Sequence, residues 1–130
     1  MKKEMNKGFS LVELIIVIAI MAVLVGLLAP QYLRFVNNSK VSTDISNAQE
    51  LATAFNVAFA DGKIASGSWS GNGGSSLSVS GVSSTQWPQG KYKAASTSWS
   101  IVCDDNGVKS ITFGGTAIWP DASAYEAFKK

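Results

Sequence analysis

The feature that most limits what this chain can become is a run of 20 residues, 14–33, without a single charge. It begins directly after Glu13 and ends at Arg34. As a helix, residues 9–29 extend roughly 31 Å at about 1.5 Å per residue. A bilayer hydrocarbon core is about 30 Å thick, so the segment can span a membrane. Lys2, Lys3 and Lys7 precede it against the one glutamate Glu4. Lysines before an apolar stretch hold that end in the cytoplasm and send the rest across. A removable signal peptide needs small residues at its cut and a shorter apolar region. Here the run closes on Val25-Gly26-Leu27-Leu28-Ala29-Pro30, with leucine where a small residue belongs. The segment is expected to stay in the mature protein.

Composition excludes several functions. Apolar residues make up 46% and charged residues 15%, against about 25% charged in a soluble domain, so the chain is not intrinsically disordered. One cysteine closes no bridge within the chain, and with no histidine neither Ser-His-Asp nor Cys-His catalysis nor a His- and Cys-rich zinc site can be built. A net charge of +2 is too small for a basic nucleic-acid footprint. No enzyme, cofactor, metal or specific nucleic acid is expected.

Glu13 needs an explanation. A carboxylate deep in a bilayer costs at least ~2.5–3.5 kcal/mol, unless it lies near the interface and snorkels to water. Phe9 and Glu13 are i and i+4, on one helical face. A cut between Gly8 and Phe9 would create an amino group one turn away, and the ammonium of a neighbouring copy could then neutralise the acid. Removing one partner of such a buried pair is costly, which makes it a register device.

These residues carry a resemblance. Lys7-Gly8-Phe9-Ser10-Leu11-Val12-Glu13, followed by an apolar run, resembles the class III leader of bacterial type IV pilins and the related pseudopilins. The resemblance is strong over residues 1–60 and general in style beyond. It implies that a prepilin peptidase cuts after Gly8 and methylates Phe9, and that Glu13 pairs with a neighbouring N-terminus during assembly. Pro30 matches a proline in the same helix of many pilins. The implied product is a single-pass membrane precursor, N-terminus inside, that a pilus assembly platform and its ATPase draw into an extracellular type IV pilus. A pseudopilin of a type II secretion or competence system shares this leader chemistry, and a membrane-anchored binding domain would lack the cleavage.

Four segments are expected: a leader at 1–8, a membrane and filament-core helix at 9–30, an amphipathic helix at 31–61, and a loop-and-sheet head at 62–130. The fold class is α+β, a long kinked helix packed by its second half on a small antiparallel sheet. Pro30 lacks an N–H and clashes with the preceding turn, so the helix either kinks or stops there. Val41, Ile45, Ala48, Ala52, Phe55 and Phe59 form a stripe at helical spacing, with Lys40, Asp44, Asn47 and Glu50 largely off it. Gly62 is a left-handed cap candidate. Residues 62–90 are rich in glycine and serine but contain Trp69, Leu77, Val79, Val82 and Trp87. They are expected to form a pinned loop with a short strand near 77–79.

Strand-like segments follow at 92–95, 97–103, 108–113 and 117–119, with a hairpin turn at Asp104-Asp105-Asn106-Gly107. That turn could in principle ligate calcium, but it lacks the ligand spacing of a calcium loop. Cys103 is expected to be a buried small hydrophobe, so the head lacks the C-terminal disulfide of many pilins. Lys91, Tyr92 and Lys93 read as edge charges rather than a DNA contact. Ser123 with Glu126, or Asp121, would cap a brief terminal helix.

Overall fold

The computed structural model describes Gly8 and residues 10–129; residues 1–7 of the expected leader, and Phe9 of the expected cut, lie outside the described residues. The chain divides into two compact units, Met1–Phe35 and Val36–Lys130. The fold is α+β: a long N-terminal helix, a four-stranded antiparallel sheet and one terminal helical turn. The first helix, α1, runs Leu11–Ala60 and contributes to both units. Gly26 and Pro30 both lie inside it, so Pro30 is not a boundary between two helices. The helix closes where Gly62 takes φ +73° and the Lys63 N–H reaches back to the Ala58 carbonyl at 2.9 Å, a left-handed cap that favours glycine.

In the second unit, α1 packs on a sheet of order β1-β2-β3-β4, with β1 Gly67–Asn72, β2 Ser98–Asp104, β3 Gly107–Phe113 and β4 Thr116–Trp119. Trp99, Ile101 and Cys103 of β2 lie opposite Phe113, Ile111 and Val108 of β3, so alternate residues of both strands point to the helix. The expected stripe on α1 is the buried face: Val41, Ala48, Ala52 and Phe55 are buried and Ile45 packs beside them. Phe55 sits 5.4 Å from the ring of Trp69 and 6.4 Å from that of Trp87. Trp99 stacks on Phe113 at 4.1 Å, and its indole N–H donates to the Pro88 carbonyl at 2.7 Å. Asn56 on α1 accepts the Val108 N–H at 2.9 Å and so fixes the helix to the start of β3.

Several local expectations are corrected. Glycine- and serine-rich residues 67–72 form β1 rather than a loop, because pairing along β2 and the packing of half-buried Trp69 against the core offset their low strand propensity. Gly71 in that strand is required by packing: a Cβ there would lie 2.0 Å from the Trp87 indole nitrogen. Residues 77–79 are not a strand; the adjacent Ser76 makes an isolated bridge to Gln86. Residues 92–95 are bends and a turn rather than a strand, since the Lys91 and Tyr92 N–H groups are taken by a side chain, described below. In the terminal helix α2, Ser123–Glu126, Ser123 is the first helical residue and not the cap. Its N–H donates instead to Asp121 at 2.9 Å, which holds the Asp121 carboxyl below its ordinary range.

Candidate functional site

From Leu11 to Phe35 every large apolar side chain of α1 is exposed, Leu11 by 74% and Phe35 by 70%. The segment is long and apolar enough to cross a membrane, and none of it is buried within the chain. A solvated helix normally buries one stripe and presents charge on the other side. This one is apolar all round, so its cover must come from outside the chain.

At the head of that segment the helix start is built reciprocally. The Ser10 hydroxyl accepts the Glu13 N–H at 3.2 Å, and the Glu13 carboxylate accepts the Ser10 N–H at 3.4 Å. This is a capping box, in which Ser and Glu three residues apart satisfy two of the N–H groups left free at a helix start. The Ser-x-x-Glu spacing that signals such a box is local and lies within the longer motif around Gly8 and Glu13. Glu13 thus sits in the first turn, exposed, where the helix dipole favours a negative charge. Gly8 precedes the helix and is exposed; the expected pairing partner Phe9 lies outside the described residues. Pro30 lies 17 positions beyond Glu13 in the same helix.

The head holds a second acid, which the sequence reading placed off the buried stripe. Asp44 is fully buried. Its carboxylate accepts the Lys91 N–H at 2.8 Å, the Tyr92 N–H at 3.0 Å and the Tyr125 hydroxyl at 2.5 Å. An ionised carboxylate is acceptor-only, which suits three donors, and successive backbone N–H groups form a natural anion seat. Burial, then the bond to Asp44, pushes the Tyr125 hydroxyl well above its ordinary value. Tyr92 stacks on Phe128 at 5.0 Å, and the Lys93 ammonium lies 4.6 Å from the Phe128 ring centre. Tyr92 and Lys93 therefore serve the packing of the C-terminus on α1. This acid joins three chain segments and offers no open site.

Cys103 is buried, and burial, then the neighbouring Asp104, raises its thiol. Asp104 accepts the Asn106 N–H at 2.8 Å within the hairpin turn. Among the described residues no group of three or more acidic, histidine or cysteine side chains is placed to hold a metal.

Residues 5–29 match the model of the prokaryotic N-terminal methylation motif. A type IV major fimbrial protein FimA of Dichelobacter nodosus is 34% identical over 119 residues, covering 88% of this chain and 76% of that protein. The chain belongs to the type IV fimbrial protein family. It is a pilin subunit, a structural protein and not an enzyme. A second FimA of Dichelobacter nodosus is 40% identical over 63 residues, 48% of this pilin and 39% of that relative. A fimbrial protein of Pseudomonas aeruginosa is 39% identical over 58 residues, 45% of the chain and 38% of its own length. No solved structure matches this pilin.

Proposed function

We propose that residues 1–8 form a cytoplasmic leader, that a prepilin peptidase cuts the Gly8–Phe9 bond and methylates the new amino group of Phe9, and that the mature chain polymerises into an extracellular type IV pilus. Residues 9–30 are the membrane and filament-core segment, 31–61 the helical half of the head, and 62–130 its loop and sheet. The observation that carries this reading is the exposed apolar half of α1 with a carboxylate in its first turn. Two surroundings suit such a rod: lipid, and other copies of itself.

Lipid tails are as apolar as the helix, so moving from bilayer to fibre brings no hydrophobic gain. Extraction therefore needs external work, supplied by an assembly platform and its ATPase. Once the rods pack together, Glu13 loses water. Its exposed capping bond to Ser10 leaves the carboxylate free to meet the ammonium of a neighbouring Phe9. A copy out of register would bury an unpaired charge, which is strongly disfavoured. Pro30 removes one backbone hydrogen bond from α1 and gives the rod a point of compliance during packing. Residues 1–8 carry three lysines and one glutamate, so the mature chain holds eight basic and eight acidic side chains. Copies whose side chains sum to no net charge do not repel strongly along a fibre.

Replacing Glu13 tests the assembly step. Glu13→Val is expected to insert and fold normally but to give few fibres in sheared cell-surface fractions. Undiminished fibres would show that the carboxylate is dispensable.

A further inference from the structure

The two edges of the sheet are finished differently. β4 is packed by α2 and followed by Pro120. β1 contains no charge and no proline, the devices that usually keep an edge strand from pairing with another chain. Among the described residues, 67–71 make no hydrogen bond beyond the ladder to β2. Ser68 and Ser70 are exposed, and Val102, across from Ser68, is 37% exposed. Trp69 points the other way, onto Phe55.

The order of residues on this open edge is Gly67, Ser68, Trp69, Ser70, Gly71, the same read in either direction. Antiparallel pairing centred on Trp69 therefore sets Trp69 against Trp69, Ser68 against Ser70 and Gly67 against Gly71. Because side chains alternate along a strand, this register keeps core-facing residues beside core-facing residues; a shift by one would not. The contact is self-complementary, as a two-fold interface must be.

We propose that β1 pairs antiparallel with β1 of a second copy of this chain, about a two-fold axis at Trp69, joining two four-stranded sheets edge to edge. A two-fold contact closes on itself, whereas a fibre grows through head-to-tail contacts. The paired copies thus belong to different fibres, and the edge bundles fibres side by side. That consequence rests on the pilus reading above; the strand pairing does not.

Opposed residues in antiparallel strands have Cβ atoms about 4.5–5.5 Å apart, within reach of a disulfide after small adjustment. The test is oxidative cross-linking of the detergent-solubilised full chain, followed by non-reducing electrophoresis. The double variant Ser68→Cys with Ser70→Cys is expected to give a cross-linked dimer, and neither single variant should. Absence of dimer from the double variant, or as much dimer from a single one, overturns the pairing. Electron microscopy of sheared fibres reads the consequence: Ser70→Lys should separate bundles that the unsubstituted chain forms, and persisting bundles would refute the lateral role. Cross-linking in cells that show no fibres would refute the pilus reading and leave the pairing standing.

Discussion

The two halves of α1 are built from one continuous helix yet answer to different surroundings. Before Phe35 the apolar side chains cover the whole circumference and none is buried. After it, Val41, Ala48, Leu51, Ala52, Phe55 and Ala58 are buried on one face while Ser42, Thr43, Gln49 and Glu50 stay exposed. The second half obtains its cover from its own chain, through the sheet and the C-terminal turn. The first half has none, and its acid is placed at the helix start instead of inside a hydrogen-bonded seat. Glu13 and Asp44 make the same contrast: Asp44 takes three donors from distant parts of the head, whereas exposed Glu13 takes only the Ser10 N–H three residues away.

The largest effect should come from cutting into the self-covered half. Phe55→Ala removes a side chain packed between Trp69 and Trp87 and should destabilise the head by about 3–5 kcal/mol, read by thermal or denaturant unfolding. Leu24→Ala in the first half should leave the same unfolding transition unchanged. Equal losses would erase the distinction between the halves.

Next in size is the C-terminal latch. Tyr125→Phe removes the hydroxyl donor to Asp44 and should cost about 1.5–3 kcal/mol, the range for a hydrogen bond to a charged group. The latch also has a pH signature. The Tyr125 hydroxyl is raised in the folded state, so its contribution is fully present below the ordinary tyrosine value of about 10 and is lost as pH rises past it. Melting temperatures of the unsubstituted chain should therefore fall more steeply above about pH 10 than those of Tyr125→Phe. Parallel curves would remove Tyr125 from that role.

The smallest effect belongs to the helix start. Ser10→Ala deletes the cap and should cost about 0.5–2 kcal/mol of local helix stability. Amide exchange at Leu11, Val12 and Glu13 should quicken while the head's exchange stays the same. Slower exchange or no change would mean that the reciprocal bonds contribute nothing.

The parts that were legible in the sequence are those fixed by local pattern. The uncharged run, the helical stripe and the turn at Asp105 and Asn106 each follow from neighbours a few residues apart, and α1, β2 and β3 formed where they pointed. The parts that were missed depend on partners far along the chain. Asp44 has the look of a solvated helix residue because its donors lie 47, 48 and 81 positions away. β1 has the composition of a linker, and only the register with β2 and the packing of Trp69 make it a strand. Ser10 is the opposite case: its capping signal is local, but it is embedded in the longer motif that holds Gly8, Phe9 and Glu13. The expected cut after Gly8 rests on a resemblance alone, because no physical rule in residues 1–8 dictates it.

The most direct measurement is the intact mass of the protein recovered from the surface of cells that make it. A chain of residues 9–130 carrying one added methyl group on Phe9 is the predicted result. A full-length chain still beginning at Met1, unmethylated and retained in the membrane, would contradict the account.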